Sequence, residues 1–363
     1  MAKFGLCQIQ LWFRHNQTQC FRKISACLIL AITLTSCTIW RPILPSSDEP
    51  PKIPQELLNY YDYPKEPLEA TVVKEEDRKQ YTFRQVELPL HLPPELWLKS
   101  PAEWKQEVIE IQPANEKGAH DLSLQYTNRL DIYLPKKPGK HPLILISPIL
   151  GGNMIVDRFA IYFAKHGYVA VIVNRKKSFY DESLGETEQV EKYLRSSIIR
   201  LRQAVDWLSE QPEVDPDRIG AFAISYGAVL HSVLAAVEPR IKQHILSMPA
   251  APLPDVIMEC PDPGVRKLVK KVESLGWSRE KIYNSLKQSI VTDPIKFAPY
   301  VPKKRIMIFA ALFDRIVGTS RTFKLWNAMG RPKLKIIPLG HYGGLLVYPY
   351  LRYVTLRFFD SRL

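Results

Sequence analysis

The sequence predicts an α/β protein, with a mostly parallel central sheet, helices on both faces and a small helical cap insertion. Two observations predict it. From residue 142 onward, short fully apolar runs alternate with helical stretches, the pattern of parallel strands covered on both sides. One interval, 252–297, breaks that rhythm with Pro252, Pro254, Pro261 and Pro263 and reads as a cap inserted between two strands.

Tyr81–Leu88 (YTFRQVEL) and Lys105–Ile111 (KQEVIEI) alternate apolar and polar side chains, so each reads as a half-buried strand. Leu122–Leu134 reads as a further strand or hairpin. Pro142–Ser147 (PLILIS) is a continuous apolar run of strand length. A helix over Asp157–Lys165, a strand over Tyr168–Val173 and a long amphipathic helix over Gln189–Ser209 follow it. Next come a strand at Arg218–Ile224, a helix at Tyr226–Val237 and a strand at Ile241–Met248. The cap contributes helical stretches around Val265–Leu275 and Ser278–Gln288 and is expected to set which ligand the sheet's carboxyl end admits. Strand Arg305–Ala311, helix Ser320–Met329, strand Leu334–Pro338 and a helix from Leu345 complete the chain.

Composition narrows the function. With 363 residues, 46% hydrophobic and 24% charged, the chain is neither disordered nor fibrous. Lys and Arg exceed Asp and Glu by 50 to 37, a net charge of +13. Lys3, Arg14, Arg22 and Lys23, with no acid among residues 1–36, supply four of these charges and leave +9 on the remaining 327 residues. That excess is spread out, without a basic stripe interleaved with aromatics, so nucleic-acid binding is not expected. No apolar run reaches the ~18 residues of a membrane span, which excludes a polytopic membrane protein. Cysteines occur at 7, 20, 27, 37 and 260, so the folded body keeps only Cys260 and has no disulfide framework. CxxC and HExxH motifs are absent and the histidines are scattered, so a metal is not expected, and the serine chemistry read below implies no cofactor.

The N-terminus reads as an export signal over residues 1–36. Arg22-Lys23 precede Ile24–Leu34, an apolar run of 11 residues too short to span a bilayer. Leu34-Thr35-Ser36-Cys37 resembles the lipobox of bacterial lipoproteins, which implies cleavage before Cys37 and its acylation. An ordinary signal peptide or an uncleaved interfacial helix fits the same composition. Thr38, rather than an acid, follows the cysteine, which by that resemblance favours the outer membrane of a Gram-negative envelope. Residues 37–80 read as a lipid-anchored, proline-rich linker, PPII-like up to about Pro67, ahead of the α/β domain over 81–363.

The chemistry centres on Ala223-Ile224-Ser225-Tyr226-Gly227, where a buried strand runs into a serine and then an apolar helix. Alone, Ser225 is equally a helix N-cap. Asp314 lies just past the apolar run Phe309–Ala311, and His341, preceded by Gly340, lies after the next strand. The order serine, acid, histidine, each at the C-terminal end of a strand, resembles the α/β-hydrolase superfamily, with Ala223 replacing the first glycine of its G-x-S-x-G elbow. The resemblance covers roughly residues 120–363 and is strongest to the dienelactone-hydrolase and acetyl-esterase-like branch, although dienelactone hydrolases carry cysteine where Ser225 stands. It implies a serine hydrolase with Ser225 as nucleophile, His341 as base and Asp314 orienting the imidazole, acting on a small-molecule or lipid-like ester. Backbone N–H groups of Leu150, or alternatively Ile149, and of Tyr226 would form the oxyanion hole, since Pro148 has none to offer. His231 reads as a packed helix residue, and Arg175-Lys176-Lys177 as a solvated run or a contact for an anionic substrate group. A serine peptidase or a thioesterase on the same core, and a non-catalytic membrane-anchored binding protein, are the alternatives.

Overall fold

The computed structural model describes residues 49–96, 127–175 and 187–363. The segment expected to be an export signal, Cys37, the strand expected at 105–111 and Lys176-Lys177 lie outside the described residues. The folded unit runs from Asp48 to Leu363. It opens with a short helix α1 (Gln55–Asn59) and strands β1 (Thr71–Asp77), β2 (Tyr81–Pro89) and β3 (Thr127–Pro135). Then β4 (His141–Ser147), α2 (Met154–Lys165), β5 (Val169–Val173), α3 (Glu188–Ser209), β6 (Val214–Ile224), α4 (Tyr226–Val237) and β7 (Ile241–Ser247) alternate. The insertion holds α5 (Leu253–Glu259), α6 (Pro263–Ser274), α7 (Arg279–Ser289) and α8 (Pro294–Phe297). It rejoins the sheet at β8 (Ile306–Ala311), followed by α9 (Thr319–Ala328), β9 (Lys333–Ile337) and α10 (Tyr348–Asp360).

These strands form one sheet in the order β1-β2-β3-β5-β4-β6-β7-β8-β9. The pairs from β1 to β5 are antiparallel and those from β5 to β9 parallel. The chain moves outward from β4 to β5 and then crosses back over β4 to β6. That reversal opens a crevice between the carboxyl ends of β4 and β6, where ligands bind in sheets of this kind.

Burial follows the pleat. Leu143 and Leu145 of β4 join one core with α3 and α4, while Ile144 and Ile146 join the other with Phe159 and Phe163 of α2 and Phe359 of α10. A Cβ built on Gly220 of β6 would stand 2.7 Å from the Phe359 ring, so glycine lets α10 lie flat on the sheet. At the open edge, β1 carries Lys74, Glu75, Glu76 and Asp77, charges that discourage pairing with another chain.

The structure differs from the sequence reading in two places. The insertion contains four helices rather than two. Residues expected to form part of an extended linker up to 80 are packed on the body instead. Tyr61 is fully buried, its ring set edge-on to Phe297 at 5.8 Å and its hydroxyl donating to Thr292 Oγ1 at 2.9 Å. Tyr60 donates to Glu191 and Tyr63 to Asp206, and Ile53, Leu57 and Leu58 pack against the same core. Proline counting missed this because the aromatic cluster Tyr60-Tyr61-Asp62-Tyr63, not the prolines, supplies the apolar area that decides the matter. Tyr61→Ala should therefore lower unfolding stability by about 3–5 kcal/mol and Tyr61→Phe by about 1, read from denaturant titrations. Equal stability of Tyr61→Ala and wild type would show that this segment is not part of the core.

Candidate active site

Ser225 is the single residue between the end of β6 and the start of α4. Its backbone is left-handed, φ 55° and ψ −121°, a conformation that costs a non-glycine residue of order 1–3 kcal/mol. Neighbours hold it there: its N–H donates to Ser247 O of β7 at 2.8 Å, and its carbonyl accepts from Val229 N at 3.1 Å. Ala223 is fully buried. A Cβ on Gly227 would lie 2.9 Å from the Ser147 carbonyl oxygen, so only glycine lets α4 approach the end of β4 this closely.

His341 and Asp314 arrive from the next strand ends. Ser225 Oγ lies 3.0 Å from His341 Nε2, and His341 Nδ1 lies 2.7 Å from Asp314 Oδ2. With Nδ1–H donating to the carboxylate, Nε2 is left to accept from the serine hydroxyl. The other carboxylate oxygen of Asp314 accepts from Ile316 N at 2.9 Å and Val317 N at 3.1 Å. Thr319 Oγ1 accepts from Asp314 N at 3.1 Å, fixing the same turn. Burial alone would raise the Asp314 carboxyl, but the His341 bond and the two amides outweigh it and hold it below the usual carboxylate range. The acid is thus kept ionised beside the imidazole.

The loop after β4 is pinned from outside. Arg175 donates to the carbonyls of Ile149 and Leu150, and Gly152 N donates to Ile149 O at 3.3 Å. In a trans peptide the N–H opposes the C=O, so the Leu150 N–H is directed away from Arg175. Tyr226 opens α4, where the helix dipole is positive. The sequence reading missed this use of Arg175. Its only signal was a cation at the end of β5, beside β4 in the sheet.

A second serine–histidine pair lies beneath. His231 of α4 is fully buried, as a packed helix residue should be, and its Nε2 lies 2.8 Å from Ser147 Oγ. This ties the nucleophile's helix to the strand that carries the Leu150 loop. Desolvation pushes the His231 imidazole down to about 3, so it is neutral in the folded protein. His244 is likewise buried and lowered, first by desolvation and then by His231. Among the described residues no group of acidic, histidine or cysteine side chains is arranged to hold a metal.

Fold and side-chain order together define an α/β-hydrolase, the class to which serine hydrolases of this kind belong. The family model of the X-Pro dipeptidyl-peptidase (S15 family) matches residues 38–289, more than half of the chain, and the chain belongs to that family. The matched span includes Ser225 and ends before Asp314 and His341. Among solved structures, an acetyl xylan esterase from Paenibacillus sp. R4 superposes with a TM-score of 0.58 at 17% identity, over 85% of this chain and 92% of that one. Acetyl xylan esterase 1 from Thermoanaerobacterium sp. gives 0.57 at 15% identity, over 83% and 94%. At such identities the likeness is one of fold. Two uncharacterized proteins of Mycobacterium tuberculosis are each 27% identical over 160 residues, 42% of this chain. The match spans only 35% of those curated relatives.

Burial of neutral His231 fixes a pH dependence. Below pH 6.5 the unfolded chain binds a proton that the folded chain refuses until about pH 3, so stability falls as pH falls across that window. One such group contributes about 1.4 kcal/mol per pH unit. Urea titrations from pH 7 to 4 should show His231→Gln with a slope shallower by about that amount. An unchanged slope would mean His231 is protonated in the fold.

Proposed function

We propose that this chain is a carboxylic ester hydrolase acting through Ser225, His341 and Asp314. The observation that carries the reading is the unbroken hydrogen-bond chain from Ser225 Oγ through His341 to Asp314, 3.0 and 2.7 Å long. His341 Nε2 takes the hydroxyl proton as Ser225 Oγ bonds to the acyl carbon, and the carbonyl electron pair moves onto oxygen. N–H groups of Leu150 and Tyr226 receive that oxyanion, with Ile149 as the alternative to Leu150. The tetrahedral adduct collapses, the ester C–O bond breaks, and the proton on His341 passes to the departing alcohol. Water, deprotonated by His341, then releases the acid and restores Ser225. Asp314 holds the imidazole tautomer and stabilises its cation.

The esterases among the structural neighbours support the ester reading, and the matched family's name supports a peptidase as the second reading. Both use the same three residues. Ester and X-Pro anilide substrates assayed in parallel separate them. Fluorophosphonate labelling of the purified protein should be lost in Ser225→Ala, whose kcat on p-nitrophenyl acetate should drop by about 10⁴ or more. Asp314→Asn should cost less, since nucleophile and base remain. Near-normal turnover in Ser225→Ala would end the serine-hydrolase reading, and cleavage of X-Pro anilides without esters would favour the peptidase.

For location, we propose a cell-envelope lipoprotein anchored through Cys37, supported by Leu34-Thr35-Ser36-Cys37 behind a short apolar run. Among the described residues no helix is long and apolar enough to cross a membrane. Palmitate label incorporated during bacterial expression should disappear in Cys37→Ala. Label that survives that change would refute the anchor.

A further inference from the structure

Large apolar side chains are turned to solvent on the loops that carry Asp314 and His341 and on the segments next to them. Phe313 and Tyr342 are chain neighbours of the hydrogen-bonded Asp314 and His341, and they are 62% and 65% exposed. The acid and base loops run side by side, with Phe313 N donating to Leu339 O at 3.1 Å. From His341 the chain continues to Tyr348, whose hydroxyl donates to Arg158 O at 3.0 Å and whose ring stands 5.0 Å from Phe159 of α2. Leu346, on that stretch, is 80% exposed, and Met154, the first residue of α2, is 73% exposed. Val347 and Ile155, their immediate neighbours, both pack against one core cluster, and the Tyr348 contacts with Arg158 and Phe159 are what join the two segments. The apolar border therefore runs from the acid loop, past the base, to the helix that follows the Leu150 loop.

Single exposed apolar residues are ordinary, but several gathered at the mouth of a reactive site mark what that site touches. We propose that this rim is the acyl-chain contact and that the substrate is a long-chain acyl ester taken from a lipid aggregate, not a small polar ester. This rests on the serine-hydrolase reading above. These side chains are exposed, so they suit an apolar surface brought up to the enzyme. Each methylene of the acyl chain they cover raises kcat/KM by about fourfold.

The test uses the full-length chain and a double variant, Met154→Ser with Leu346→Ser, neither residue being part of the reacting group. Substrates are p-nitrophenyl acetate, butyrate and laurate, the laurate both alone and carried in phosphatidylcholine vesicles. With Cys37→Ala in both chains, so that no lipid anchor carries them to vesicles, the parent should prefer vesicle-borne laurate over acetate by tenfold or more and should sediment with the vesicles. The double variant should lose at least tenfold on laurate, sediment less, and keep acetate turnover within twofold. Preference for acetate, a laurate-to-acetate ratio unchanged in the variant, or laurate activity without vesicle binding would each overturn the proposal. Equal loss on both esters would also overturn it, by assigning the two residues to the fold. Failure of fluorophosphonate to label Ser225 would instead sink the hydrolase reading beneath it.

Discussion

The site depends on one junction, where β6 stops at Ile224 and α4 begins at Tyr226 with Ser225 alone between them. A strand and a helix joined by one residue can both stay packed on the sheet only if that residue takes a left-handed backbone. The strain is held by groups already committed elsewhere: the Ser247 carbonyl at the end of β7, the Val229 amide, and the close seat of Gly227 on Ser147. Position follows from this restraint. Ser225 Oγ is presented at the crevice between β4 and β6, and His341 and Asp314 need only reach the same end of the sheet.

The remaining contacts extend that restraint outward in layers. Asp314 is fixed by two backbone amides and Thr319, so the imidazole has one carboxylate orientation to answer. The loop after β4 is fixed from the far side by Arg175, and from below by the Ser147–His231 bond. Helix α4 therefore carries both the nucleophile's neighbour, Tyr226, and the residue that steadies the opposing loop. Any shift of α4 moves both at once. The neutral state of His231 belongs to the same arrangement, since complete burial disfavours a charged imidazole there.

Much of this was legible in the sequence because apolar runs of strand length and the order Ser225, Asp314, His341 are local signals. The helix at Tyr226–Val237 begins and ends where the pattern placed it, and strand limits differ by a few residues at β6, which starts at Val214 and pairs Val214 and Asp215 with β4. Three features were not legible. The packing of Tyr61 depends on Thr292 and Phe297, more than 200 residues along the chain, and periodicity carries no such information. The short helices α5 and α8 are set by prolines at their starts and by Asp293, whose side chain accepts from Leu253 N and Ile295 N. Arg175 read as one cation in a run because its partners are backbone carbonyls, which leave no mark on the residue pattern.

The seat of Tyr61 also orders events during synthesis. Its hydroxyl partner is 231 positions later, and Phe297 is later still. A chain made from its N-terminus displays Tyr60, Tyr61 and Tyr63 long before α8 exists to receive them. Contacts of such sequence separation form late and slow the approach to the native state. This aromatic cluster is thus among the last parts of the chain to be covered, and until then it is an adhesive segment that a chaperone has every physical reason to hold.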